Sequence, residues 1–252
     1  MMKLLNALYG IWVMLLFFVV LTLMLPFYIL LLPFPDRTAT LWRYKIHKFF
    51  FYTWGFLTGI RMQVENDEKR DPNQVYVITG NHCNMLDIPL TGCNIQHYFK
   101  PLVKKEIQYV PILGQLFALA AIPVDRSNPE SRKKSMELMI RKLKQGMSIM
   151  IYPEGTRNRT DKPLKEFHSG AFRLAIQAQV PILPFVQLNL RHLQPVTTMR
   201  VYPGTITMKF LDPIPTAGLA DTPEEVEKLK QLVFSVMEKE VITHEPMFQV
   251  RK

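Results

Sequence analysis

Cysteine is scarce in this 252-residue chain. Only Cys83 and Cys93 occur, too few to staple a secreted scaffold, which favours a reducing compartment. Acidic residues are in deficit, 21 Asp and Glu against 31 Lys and Arg, for a formal charge of +10. Such a surplus suits an anionic partner, whether nucleic acid, a membrane surface or a phosphorylated substrate. RRM, KH and helix-turn-helix patterns are absent, so nucleic acid is not an expected partner. The 19 prolines form no low-complexity run, and 48% hydrophobic residues exclude a disordered chain. The longest absence is of charge itself: none stands between Lys3 and Asp36.

That uncharged stretch is rich in Leu, Phe, Val, Ile and Met. A bilayer core takes about 20 apolar residues of helix, so the run can cross once and is too short to cross twice. Pro26, Pro33 and Pro35 cluster in its second half, so a helix from about Leu4 to Leu25 is expected to kink or stop there. The apolar region is longer than a signal-peptide core, and no small-x-small cleavage site follows it. A buried core helix would be unusual at a chain terminus, which leaves a spanning or a re-entrant membrane segment. Beyond it, Arg37, Arg43, Lys45 and Lys48 are interleaved with Trp42, Tyr44, Phe49 to Tyr52, Trp54 and Phe56. Rings and basic stems of this kind sit well at the headgroup layer, and basic residues after an apolar segment place that side on the cytoplasmic face. Residues 1–60 therefore read as a membrane-associating segment, and residues 61–252 as one globular domain.

In that domain Val75–Thr79, Met147–Tyr152 and Pro181–Leu188 read as strands, and Met199–Phe210 as a hairpin broken at Pro203-Gly204. Ser131–Gln145, Ala171–Gln177 and Glu224–Val241 carry apolar residues at helical spacing. The alternation predicts an α/β fold, a mixed β-sheet flanked by helices.

Asn81-His82-Cys83-Asn84-Met85-Leu86-Asp87 directly follows the first of those strands, and α/β sheets place ligands at the carboxyl ends of their strands. A His there can act as general base near neutrality. Asp87 can hold its tautomer, as in a Ser-His-Asp triad without the serine. Five residues do not share a helical face, so His82 is expected in the turn and Asp87 on the next element. Tyr152-Pro153-Glu154-Gly155-Thr156-Arg157 ends another strand; Gly155 allows close backbone approach, Thr156 offers a hydroxyl and Arg157 a planar fork for phosphate oxygens. Arg126 closes the run Ile122-Pro123-Val124-Asp125. Cys83 beside His82 is poorly placed as a nucleophile. His82, Cys83, Cys93 and His97 match no common zinc spacing, so no metal is expected.

These segments, with Val180–Pro184, resemble the glycerolipid acyltransferase family, specifically the 1-acyl-glycerol-3-phosphate acyltransferases, over roughly Val75 to Pro184. The family's Asn-His-x4-Asp motif is complete at Asn81, His82 and Asp87, and its Phe-Pro-Glu-Gly-Thr-Arg motif has Tyr152 for the Phe. Lys104-Lys105-Glu106 resembles the family's Lys-x-Glu element. Two positions depart: Ala120 stands where a Gly is usual, and His168-Ser169-Gly170 where relatives often carry Lys-Lys-Gly.

The resemblance implies transfer of an acyl group from a thioester, acyl-CoA or acyl carrier protein, to lysophosphatidic acid. No cofactor and no covalent acyl-enzyme are needed. His82 and Asp87 would be catalytic, with Asn81, Lys104, Arg126, Glu154, Gly155, Thr156 and Arg157 holding substrate. Partners would be the two substrates and membrane lipids, with acyl carrier protein a further candidate. The rival readings are another lysophospholipid, amino-acid-linked or lipid-A-like acceptor, and a membrane-anchored lipid-binding protein that would tolerate loss of His82.

Overall fold

The protein is described from a computed structural model covering residues 2–84, 86–125, 127–195 and 200–249. Seven strands form one mixed sheet in the order β1-β7-β6-β2-β5-β3-β4. These are β1 (Ile60–Glu65), β2 (Val77–Gly80), β3 (Phe99–Lys104), β4 (Ile122–Val124), β5 (Ser148–Ile151), β6 (Ile182–Leu188) and β7 (Gly204–Phe210). From β6 to β4 neighbouring strands run parallel, whereas β7 is antiparallel to β6 and parallel to β1. All residues of β2, β5 and β6 are buried, as strands covered on both faces must be. At Gly80 a side chain would run into the Phe185 ring, which a Cβ would approach to 2.1 Å; only glycine lets these strands pack.

One face of the sheet carries α5 (Pro129–Lys144), α6 (Gly170–Ala178) and α8 (Pro223–His244) over a cluster that includes Leu143, Phe172, Leu174 and Val233. Two of these helices begin on side-chain caps. Asn128 accepts from the amides of Glu130 and Ser131, and Thr222 from that of Glu225, each followed by a proline at the first helical position.

A second cluster joins the N-terminal pair α1 (Met2–Leu30) and α2 (Asp36–Thr58) to α3 (Asp87–Asn94) and α4 (Leu113–Ala120). Val13, Phe17, Met24, Phe51 and Trp54 are at most 3% exposed there, against Leu90 and Leu116. The outward side of α1, with Leu8, Ile11, Leu15 and Phe18, is exposed. Residues 5–30 are long and apolar enough to cross a membrane.

The structure corrects two expectations. Of the kink or stop expected after Leu25, the stop does not occur at Pro26: the helix continues to Leu30. Proline removes one backbone hydrogen bond, and burial of Met24 and Tyr28 in the core shared with α2 holds the last turn instead. The hairpin over 199–210 does not form. Arg200–Pro203 is irregular, Met199 lies outside the described residues, and Gly204–Phe210 is a single strand inserted between β1 and β6. Strands β1, β3 and β4 and the tiny helix α7 (Leu190–Leu193) are additions to the sequence reading.

Candidate active site

Central strand β2 delivers its carboxyl end to the loop 81–86, and its neighbour β5 delivers residues 152–157 alongside. His82 lies in the loop and Asp87 is the first residue of α3. His82 Nδ1 is 2.7 Å from Asp87 Oδ2, which also accepts the amides of Cys83 and Asn84 at 2.7 and 2.8 Å. Asp87 is fully buried, and these donors, with the start of α3, supply the compensation that a buried carboxylate requires. Nδ1 therefore carries the proton towards Asp87, and Nε2, without a partner among the described residues, is the basic nitrogen.

Beneath the imidazole lies Tyr152, stacked at 4.4 Å between ring centroids and 16° between planes. Its hydroxyl bonds Thr91 Oγ1 at 2.9 Å, and burial raises its pKa well above the usual value, so it stays neutral. Thr91 in turn donates to the Asp87 carbonyl and accepts from Gln187 Nε2.

Glu154 is also fully buried. One carboxylate oxygen accepts the His82 amide at 2.7 Å and the other the Lys165 amide at 2.9 Å. Burial outweighs these two bonds and pushes its pKa up to about 7. The carboxylate thus pins the loop carrying His82 to the loop after β5. Asn158 adds a second tie, its amide donating to the His82 carbonyl at 2.6 Å.

Asn81 exchanges two hydrogen bonds with the backbone of Gln187, at 2.7 and 3.0 Å, fixing the loop to β6. Gly155 adopts φ 72°, the left-handed conformation that glycine takes without strain. Thr156 and Arg157 are exposed. The Thr156 hydroxyl accepts from Lys165 Nζ at 2.7 Å, while Arg157 has no partner among the described residues. Lys104 ends β3 and pairs with Glu106 at 2.9 Å in solvent. Arg126 lies outside the described residues.

Tyr152, Pro153 and Gly155 share a wall with a cavity of about 530 Å³. Met136, Met139 and Ile151 line it on the apolar side, and Arg132, His168 and Arg173 supply its polar groups. The buried Cys83 thiol is pushed well above its usual pKa by burial and by the Asp87 charge, which disfavours a thiolate nucleophile. Among the described residues no three His, Cys, Asp or Glu gather as a metal site.

Thr91, Lys165, Gln187 and Arg191 complete the setting and were not singled out in the sequence. Arg191 donates to the carbonyls of Thr160 at 2.8 Å and Lys162 at 3.2 Å, holding the loop that carries Asn158 and Lys165. Thr91, Gln187 and Arg191 act through contacts across long chain separations, and Lys165 reaches back nine and eleven residues to Thr156 and Glu154; no local motif marks either kind of contact.

Fold and site together define an α/β protein in which a loop histidine at the end of a central strand is oriented by a buried carboxylate. The acyltransferase family pattern matches residues 61–187, and the chain belongs to that family. It is 32% identical over 213 residues to an uncharacterized acyltransferase of Schizosaccharomyces pombe, covering 83% of this chain and 76% of that one. It is 33% identical over 163 residues to the 1-acyl-sn-glycerol-3-phosphate acyltransferase of Cocos nucifera, 64% of this chain and 52% of that protein. With 1-acyl-sn-glycerol-3-phosphate acyltransferase alpha of Homo sapiens it shares 33% over 180 residues, 71% of this chain and 62% of the human one. The matches thus span only about half to two thirds of these two relatives. The fold is that of the crystal structure of the 1-acyl-sn-glycerophosphate acyltransferase PlsC from Thermotoga maritima. That likeness has a TM-score of 0.76 at 23% identity and covers 96% of this chain and 97% of that one.

Proposed function

We propose that this protein moves a fatty acyl group from an acyl thioester, acyl-CoA or acyl carrier protein, to the free hydroxyl of 1-acyl-glycerol-3-phosphate, giving phosphatidic acid. The observation that carries the reading is the His82–Asp87 pair, with its free Nε2 beside the arginine-bearing loop after β5. Nε2 takes the proton as the acceptor oxygen attacks the thioester carbonyl carbon. The C–S bond breaks as the tetrahedral centre collapses, and the departing thiolate takes the proton from His82. Asp87 holds the imidazole and stabilises its charged form.

The acceptor's phosphate meets Arg157 together with Arg126, and its glycerol lies along Gly155. Arg132 in the cavity wall supplies a further positive charge near that loop, where relatives often carry lysines before Gly170. The relatives named for lysophosphatidic acid chemistry favour the same acceptor. The exposed apolar side of α1 and the basic, aromatic α2 attach the enzyme to the cytoplasmic face of a membrane.

An acceptor panel tests this. Thiol release with lysophosphatidic acid should exceed that with lysophosphatidylcholine and lysophosphatidylethanolamine, whose phosphodiesters carry one charge and an obstructing headgroup. Arg157→Lys keeps the charge and loses the fork, so the acceptor KM should rise by about tenfold or more while the donor KM holds. Equal rates on all three acceptors would reject a phosphomonoester pocket.

A further inference from the structure

Strand β6 outruns its neighbour β2. Their pairing ends where Gly80 meets Phe185, so Gln187, two residues further along, has no β2 residue opposite it. The Asn81 carboxamide takes that place. Its Oδ1 accepts the Gln187 amide at 2.7 Å and its Nδ2 donates to the Gln187 carbonyl at 3.0 Å. Positions 183, 185 and 187 share one face of the strand, and Leu183 and Phe185 pack there among apolar side chains. Gln187 breaks that run with a buried carboxamide. Its Nε2 donates to Thr91 Oγ1 at 2.6 Å and to the Asp87 carbonyl at 3.2 Å. A carbonyl can only accept, so the nitrogen and not the oxygen must face it.

Stability alone does not account for this side chain. Thr91 already gives its proton to the Asp87 carbonyl at 2.6 Å and is met by the Tyr152 hydroxyl. An apolar residue at 187 would therefore orphan neither group. Gln187 itself leaves Oε1 buried and without a partner among the described residues, and an unmet buried acceptor is costly. What the residue does is join the two ends of one short segment. Its backbone holds Asn81, directly before His82, and its side chain holds Asp87 and the first turn of α3.

We propose that Gln187 is a positioning residue: by fixing both ends of residues 81–87 to β6, it sets the separation and angle at which the Asp87 carboxylate meets His82 Nδ1. It acts through Asp87 rather than on a substrate. The effect on turnover rests on the acyl-transfer reading above, whereas the bracing of the pair is separable from any reaction.

The test is made on the full-length protein with ¹⁵N-labelled histidine in maltoside micelles. The Nδ1–H proton of His82, held by a carboxylate, should resonate at low field and is identified by its loss in His82→Ala. Gln187→Met keeps the length of the side chain and loses its donors. In that variant the resonance should move upfield and exchange faster with water. Its kcat should fall by about tenfold or more, towards the roughly 10²-fold that a 1 Å misplacement costs, with both KM values unchanged. Gln187→Leu should do the same and provides a second variant should the first not fold. Val186→Ala, buried on the opposite face of β6, should lower the melting temperature while leaving the resonance and kcat in place. Three results would overturn the proposal: no low-field proton in wild type, a wild-type resonance and exchange rate in the Gln187 variants, or an equal displacement in Val186→Ala. A resonance displaced only in the Gln187 variants of a protein that acylates no acceptor would uphold the bracing and reject the reaction.

Discussion

The Tyr152 ring lies parallel to the His82 imidazole, 4.4 Å away, while its hydroxyl is bonded to Thr91 at the far side. The ring and the hydroxyl therefore do different work: one forms the surface on which the His82 imidazole rests, the other ties the end of β5 to α3. Tyr152→Phe should keep acyl transfer within a few-fold of wild type and lose about 1 kcal/mol of stability, the ordinary worth of one hydrogen bond. Tyr152→Ala should lower both turnover and stability sharply, by the roughly 3–5 kcal/mol seen when large aromatics are truncated in cores. Turnover and thermal unfolding of the two variants, measured side by side, separate the roles.

Glu154 gives the fold a pH dependence of definite sign. Its pKa is about 7 in the folded protein against an ordinary 4.5, with burial as the first cause. Between those values the folded state holds a proton that the unfolded chain has lost, so stability falls as pH rises across the window and levels off above it. The shift corresponds to about 3 kcal/mol at most. Glu154→Gln cannot titrate. Unfolding midpoints at pH 5 and pH 8 should show wild type losing stability relative to this variant as the pH rises. Parallel behaviour would mean that Glu154 is ionised throughout.

Arg191 is a positioning residue for the loop that ties down His82. Its two carbonyl contacts at Thr160 and Lys162 lie beyond Asn158, and its guanidinium also packs over the Phe248 ring at 5.2 Å. Arg191→Ala should raise the acceptor KM several-fold with a smaller change in kcat, because Arg157 shares that loop. Arg191→Lys should recover only part of the loss. A pure kcat effect would place the residue nearer the chemistry than its contacts allow.

The proposed membrane attachment rests on α1 having two unlike faces. Ile11, Leu15 and Phe18 are 62%, 53% and 44% exposed, whereas Val13 and Phe17 are buried against α2. Replacing Ile11, Leu15 and Phe18 together by lysine should release the protein from vesicles while leaving its melting temperature near wild type. Phe17→Lys should unfold it. Vesicle sedimentation with a parallel melt distinguishes these outcomes, and unchanged sedimentation of the triple variant would mean that this face does not contact lipid.

The contact of His82 with Asp87 was legible because its signal is local: a strand, a turn, a histidine and an aspartate five residues on. So were the long helices α5 and α8, whose apolar faces repeat at helical spacing. Strand β7 was not, because nothing in residues 199–210 reveals that its partners are β1 and β6, more than a hundred and about twenty residues away in register. Pro26 misled for a related reason, since the packing that carries the helix past it comes from α2. Asn81 looked like a substrate ligand from its motif, yet both ends of its amide are engaged by Gln187. Lys165, Gln187 and Arg191 are ordinary residues locally and became visible only through the loops they hold together.

In the proposed reaction His82 Nε2, with Asp87 behind Nδ1, removes the proton from the acceptor hydroxyl. The measurement that bears on it most directly is thiol release from acyl-CoA with lysophosphatidic acid, comparing wild type with His82→Ala at matched folding and membrane binding. A loss of about 10²–10⁴-fold is the predicted result, the usual cost of removing a general base, with Asp87→Asn severely impaired as well. A His82→Ala protein that kept more than a tenth of wild-type turnover would contradict the account and leave a lipid-binding role as the better one.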